Sequence, residues 1–179
     1  MKLLLHICCG PCATSTLDHW LAQGATVTGY FHNPNIQPAL EYRRRRTGAR
    51  DLAKAAGLQL IESGEYDPSA WLVEVFAMGA DGRCRRCIGS RLRATAAEAH
   101  ATGAEAFSTS LAISPWQDHD AIREEGATAA ELHGVEFLYE DLRPLYRDSR
   151  TTARRLGLYR QTYCGCLLSE WERYAGDGR

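Results

Sequence analysis

The sequence predicts an α/β fold: a single-domain, Rossmann-like three-layer sandwich with about five mainly parallel strands, spanning residues 1–179. Two observations carry this. Short apolar runs recur along the chain, each bounded by turn residues, and longer stretches of helical period separate them. Connections of that length suit crossovers between parallel strands rather than hairpins.

The elements follow in order. Lys2–Cys8 is a short apolar run ending in Gly10-Pro11, as a buried strand would. Cys12–Ala22 reads as a helix with Leu17, Trp20 and Leu21 on one stripe. Ala25–Phe31 is strand-like and closes in the turn His32-Asn33-Pro34-Asn35. Pro38–Ala56 is helical and ends at Gly57, and Leu58–Ile61 forms the third strand. A helix over Pro68–Met78 breaks at Gly79-Ala80-Asp81-Gly82, and a long Arg/Ala helix runs from Cys87 to about Ala101. Ala104–Thr109 is the fourth strand, Ser114-Pro115 starts a helix through His133, and Val135–Tyr139 is the fifth strand. A helix over Ser149–Leu156, a turn at Cys164 and Cys166, and a helix from Leu167 complete the chain. Ligands of such folds gather where strands end. The ends at Cys8, His32-Asn33 and Thr109-Ser110 are therefore expected on one rim.

The chemistry sits in the cysteines. All seven fall in three blocks: Cys8, Cys9 and Cys12; Cys84 and Cys87; Cys164 and Cys166. Tight blocks between long cysteine-free stretches suit a metallocluster or a redox dithiol better than a disulfide framework, and the odd count argues the same way. Cys84-Arg85-Arg86-Cys87, at a helix start, fits zinc, an iron–sulfur cluster or a dithiol alike. Adjacent cysteines on a regular strand point to opposite faces, so Cys8 and Cys9 can serve one group only across a bend, which Gly10-Pro11 supplies. Cys9-Gly10-Pro11-Cys12 copies the thioredoxin tetrapeptide, but the other cysteines and the repeated strand–helix alternation speak against a simple thioredoxin. A disulfide across the single Gly165 would close a small strained ring, more readily reduced than a structural bridge. Further metal ligation is the other reading of that pair.

Weaker candidates are His6, expected in the core; His32 and Asn33, expected to meet substrate; Asp81, Asp118 and His119, expected as proton donors, ligands or ordinary caps; and Tyr159 and Tyr163, expected to stack on a base or pack.

Composition bounds the partners. The chain is 45% hydrophobic and 24% charged, with a net charge of −1, so it is no bulk polycation. No apolar run approaches the roughly 20 residues that cross a bilayer. The opening Met1–Cys8 faintly imitates a lipoprotein signal, but its apolar stretch is short and His6 interrupts it, so a cytoplasmic location is expected. Lys2 and Lys54 are the only lysines among 21 basic residues; the rest are arginines, clustered at Arg43–Arg46, around Cys84 and Cys87, and over Arg143–Arg160. Forked guanidinium groups suit phosphate oxygens. No dinucleotide or P-loop glycine motif is present.

Several strings together resemble the cobalamin-independent epoxyqueuosine reductases of the QueH type. They are Leu3-Leu4-Leu5-His6-x-Cys8-Cys9-x-Pro11-Cys12, Phe31-His32-Asn33-Pro34-Asn35-Ile36-x-Pro38-x2-Glu41-Tyr42, Arg83-Cys84-x2-Cys87 with Arg91-Leu92, Ser114-Pro115-Trp116, and Leu158-Tyr159-Arg160-Gln161-x-Tyr163-Cys164-Gly165-Cys166. The resemblance runs from about Leu3 to Ser169. It departs at Trp116, where the pattern carries Tyr, and at Leu111-Ala112. It implies reduction of the epoxide in epoxyqueuosine, at the wobble nucleoside of tRNA, with a [4Fe–4S] cluster on Cys8, Cys9, Cys84 and Cys87. It also implies a redox-active pair at Cys164 and Cys166, fed by an unidentified electron donor. Cys12 is then surplus: it faces an additional mononuclear iron with Asp81, or simply opens the first helix. A zinc-stabilised RNA-binding module and a small thiol–disulfide oxidoreductase are the competing classes. Brown colour with broad visible absorption separates the reductase from both.

Overall fold

The structure, a computed structural model, describes residues 1–64, 66–78 and 82–175. Five parallel strands form one sheet in the order β3-β2-β1-β4-β5: β1 (Lys2–His6), β2 (Thr26–Phe31), β3 (Gln59–Glu62), β4 (Ala106–Thr109) and β5 (Glu136–Phe137). The helices are α1 (Gly10–Ala22), α2 (Ala39–Ala56), α3 (Ser69–Met78), α4 (Arg83–Thr102), α5 (His119–His133), α6 (Tyr146–Arg155) and α7 (Leu167–Tyr174).

Strand β1 is central, with Leu5 opposite Gly29 of β2 and Ser108 of β4. Side chains alternate across a strand, so one apolar run feeds two cores. Leu3, Leu5 and Ile7 pack with Leu17, Trp20, Leu52 and Ala153, beneath α1, α2 and α6. Leu4 and Phe107 pack with Ile88, Leu92 and Ile122, beneath α4 and α5. Burial on both faces is why these strands read as continuous apolar runs. Trp71 and Val75 of α3 form a third cluster with Cys87 and Cys166.

From β1 the chain builds outward to β2 and β3, then returns to the other side of β1 for β4 and β5. The crevice at such a reversal lies beyond the strand ends. The expected rim is present. Nδ1 of His6 meets Thr109 Oγ1 at 2.9 Å, its Nε2 meets the His32 carbonyl at 3.1 Å, and Cys8 N donates to Ser110 Oγ at 3.0 Å.

Several boundaries differ from the sequence reading. Helix α1 starts at Gly10 rather than Cys12, with Cys9 as its cap and Pro11 in its first turn. Helix α4 starts at Arg83, so Cys84 and Cys87 lie about one turn apart at its beginning. Ser114-Pro115 does not start a helix: a 3-10 turn over Ser110–Ile113 and a turn from Ser114 to Gln117 come first, and Asp118 caps α5 by accepting from Ala121 N at 2.9 Å. Helix α6 begins at Tyr146 rather than Ser149. Helices α1 and α2 touch through glycines, since a Cβ on Gly10 would lie 2.4 Å from the Gly48 carbonyl oxygen.

Candidate active site

The first thiol group forms where β1 turns into α1. Cys9 is the last extended residue, at φ −167° and ψ 160°, and α1 begins immediately after it. That bend gathers the sulfurs of Cys8, Cys9 and Cys12 within 4.8 Å of one another, all three buried. Hydrogen-bond donors converge on them: Ser110 Oγ on Cys8 Sγ at 3.3 Å, Cys12 N on Cys9 Sγ at 3.4 Å, and Gln161 Nε2 on Cys9 Sγ at 3.0 Å. Hydrogen bonds from the Cys12 and Cys9 thiols hold Cys8 well below the usual thiol range. Burial pushes Cys9 up, and the hydrogen bond to Cys8 pushes Cys12 up. The group thus holds one thiolate readily, and a bound cation must displace the other protons. Buried thiolate donors with N–H and O–H groups aimed at sulfur fit a soft metal or an iron–sulfur cluster.

The other four thiols share a cavity. Cys84 and Cys87 from α4, and Cys164 and Cys166 from the turn into α7, line a cavity of about 190 Å³ with Asn35 and Trp116 among its walls. Cys87 is buried, which pushes its thiol up to about 12. Arg91 donates from Nε to the Cys87 carbonyl at 3.0 Å, and its charge also reaches His6 and His32 at the strand ends. The expected ligands are therefore split, with Cys8 and Cys9 in the first group and Cys84 and Cys87 on the cavity. Ile88, directly after Cys87, packs in the same core as Cys8 and Cys9.

A buried ion pair fixes the C-terminal thiols. Arg45 and Glu41, side chains 2% and 5% exposed, pair at 2.7 Å one turn apart on α2. Arg45 also donates from Nη1 to the Cys164 carbonyl at 2.7 Å and from Nη2 to the Tyr163 carbonyl at 2.9 Å. Gln37 N donates to the Gly165 carbonyl at 2.7 Å. Gly165 has φ +146°, and a Cβ there would sit 3.2 Å from Arg45 Nη1, so this turn requires glycine. Outside the backbone, Gln117 Nε2 reaches Cys164 Sγ at 3.4 Å.

The remaining sequence candidates resolve individually. His6 is fully buried as expected, and burial pushes it down to about 3. His32 bonds to Ser63 Oγ at 2.8 Å. Asn33 is spent on the Ile7 carbonyl at 2.9 Å, and it is Asn35 that reaches the cavity. Asp118 is a helix cap on the cavity wall, while His119 ties Ser114 O to Tyr139 Oη. Tyr159 donates to Glu41 Oε2 and Tyr163 donates to the Gln37 carbonyl, so both hydroxyls serve packing. Asp81 lies outside the described residues. Sequence reasoning assigned no role to Gln161, Asn35 or Trp116, and it grouped Arg45 with the phosphate-suited arginines, whereas Arg45 is buried against Glu41. Only Glu41 and Arg45 left a local trace, their i,i+4 spacing.

Comparison with known proteins identifies the family. The family model for epoxyqueuosine reductase QueH matches residues 3–172. The chain is 46% identical to an epoxyqueuosine reductase QueH of Dehalococcoides mccartyi, over 97% of this chain and 94% of that protein. Against the Thermotoga maritima protein of the same name, identity is 37%, covering 96% and 91%. In fold, it resembles a solved structure described as a predicted subunit of tRNA methyltransferase from Methanocaldococcus jannaschii. That match has a TM-score of 0.56 and 11% identity, covering 92% of this chain and 94% of that one. Among the described residues no helix is long and apolar enough to cross a membrane. A family match over nearly the whole chain, with relatives of up to 46% identity covered almost end to end, shows that the chain belongs to the epoxyqueuosine reductase QueH family and is an oxidoreductase.

Proposed function

We propose that the chain reduces the epoxide of epoxyqueuosine, at the wobble position of a tRNA anticodon, to the cyclopentene of queuosine, in the cytoplasm. In this reading Cys8, Cys9, Cys84 and Cys87 hold a [4Fe–4S] cluster, and Cys164 and Cys166 are the redox-active pair. The observation that carries it, beside family membership, is the cavity that brings the C-terminal thiol pair beside Cys84 and Cys87. Such a cluster, when bound, supplies one-electron transfer and a Lewis-acidic iron.

The chain's own residues account for the rest. Going from dithiol to disulfide, Cys164 and Cys166 release two electrons and two protons. These leave with the epoxide oxygen as water, while the two ring carbons form the double bond. An external donor of two electrons, not yet identified, then restores the dithiol. Exposed Cys164 meets the incoming ring, and buried Cys166 accepts hydrogen bonds from Ser169 N at 3.4 Å. Gln161 donates to the Cys9 sulfur, a contact that tunes a ligating thiolate. Cys12, beside Cys8 and Cys9, is available to an additional mononuclear iron.

The test is incubation of anaerobically reconstituted protein with epoxyqueuosine-bearing tRNA, followed by nucleoside mass analysis. Loss of one oxygen atom is expected, and an unchanged nucleoside overturns the reading. Cys164→Ser is expected to abolish turnover; single-turnover and steady-state reduction left equally intact in that variant would remove the relay role. A colourless protein holding stoichiometric zinc would exclude the cluster.

A further inference from the structure

Trp116 is 83% exposed, the most exposed large apolar side chain among the described residues. It is also part of the cavity wall that carries the four thiols. A lone exposed aromatic is ordinary on a protein surface, but an indole on a cavity wall offers a ligand a flat apolar face. The turn beneath it is rigid. Trp116 N donates to Ser114 Oγ at 3.3 Å, the Ser114 carbonyl is held by His119 Nε2 at 2.9 Å, and the α5 cap follows at Asp118. A floppy surface aromatic would lose much of its contact energy to ordering. Gln117, next in sequence, reaches from this turn to Cys164 Sγ.

The cavity carries a second, independent sign of a ligand. Trp71 Nε1 and Asn35 Oδ1 are both buried without a hydrogen-bond partner, and both residues line it. One is a donor and the other an acceptor. A bare cation could satisfy Asn35 but not the indole N–H, whereas a ligand carrying donor and acceptor groups satisfies both.

The geometry points to Trp116 as the platform on which the substrate's nucleobase stacks at the cavity mouth, with Asn35 and Trp71 meeting polar groups of the part that enters. This rests on the reductase reading above. The ligand class is a planar base unstacked from a single-stranded RNA loop, since every base offers a π face and aromatic side chains are its usual seat. Tyr159 and Tyr163 do not fill the role, because their rings lie beneath Arg44 and Arg45 and their hydroxyls are engaged. Trp171, 59% exposed on α7, is not part of the cavity wall.

The experiment uses the reconstituted holoenzyme with an anticodon stem-loop RNA carrying epoxyqueuosine. Trp116→Ala is expected to raise KM about tenfold or more, with a smaller effect on the single-turnover rate at saturation, and Trp116→Tyr to recover most of the loss. In parallel, the stem-loop should quench tryptophan emission of the unaltered protein. The quench should shrink in Trp116→Tyr and persist in Trp171→Phe. An unchanged KM in Trp116→Ala, or an undiminished quench in Trp116→Tyr, overturns the platform while leaving the reductase reading intact. A Trp116-dependent quench without any deoxygenation by the unaltered protein supports the platform and overturns the reductase reading instead.

Discussion

The two helical layers differ in how many of their exposed arginines are left without an acidic partner. On the α4/α5 side, Arg85 pairs with Glu124 and Glu125, Arg93 pairs with Glu125, and Arg123 pairs with Asp120. On the α2/α6 side, Arg46 and Arg50 pair with Glu62, but six others are exposed: Arg43, Arg44, Arg147, Arg154, Arg155 and, beyond them, Arg160. None of these six makes an ion pair among the described residues. Surface ion pairs add little stability, so the α4/α5 pairs mainly cancel charge. Uncancelled guanidinium groups leave a positive face suited to phosphates, on a chain whose net charge is −1. Arrangement, not total charge, decides where RNA can dock. The layers also differ in packing. Between α1 and α2, backbone meets backbone at Gly10 and Gly48, whereas on the other side Gly126 faces the Phe137 ring.

The largest effect is expected inside the α2 layer. Glu41→Leu strands the Arg45 charge in a buried site and should cost about 3–5 kcal/mol in denaturant unfolding; a loss under about 1 kcal/mol would mean that solvent reaches the guanidinium. Gly10→Ala comes next, at about 3 kcal/mol, because the added methyl meets a carbonyl that cannot rotate away. Double reversal Arg43→Glu/Arg44→Glu should weaken tRNA binding about tenfold or more and flatten its salt dependence, with stability unchanged. The matched reversal Arg85→Glu/Arg123→Glu should leave binding near the unaltered value, and equal losses from both pairs would erase the contrast between layers. Smallest is Gly126→Ala, at about 1 kcal/mol, since its clash is with a side-chain ring that can turn.

Much of this architecture was legible because strand ends carry local signals. Leu3–Ile7 is a mainly apolar run that ends in turn residues, Ala106–Thr109 is a short strand between turns, and the rim they form follows from parallel topology. Helix starts were less legible. Gly82 precedes α4 with no side-chain cap, so nothing local announced Arg83, while Ser114-Pro115 carries a strong start signal that the chain spends on a turn. At the site, cysteine spacing exposed the thiols but not their partners. Gln161 meets Cys9 across 152 positions, and Arg45 meets the Cys164 carbonyl across 119. Contacts made by tertiary approach leave no periodicity to read. Asn33 and Asn35 show the same limit, since two identical side chains in one turn take different duties according to which way the backbone faces.

The grip of Arg45 and Gln37 on the carbonyls of Tyr163, Cys164 and Gly165 separates covalent from mechanical ownership of the tail's sulfurs. They belong to the tail in the chain, yet their seat is machined by α2 and the loop before it. A graft of the last twenty or so residues onto another scaffold would carry the thiols without their vice. The thiols are thus supplied by one stretch of the chain and held in position by another, more than a hundred residues away.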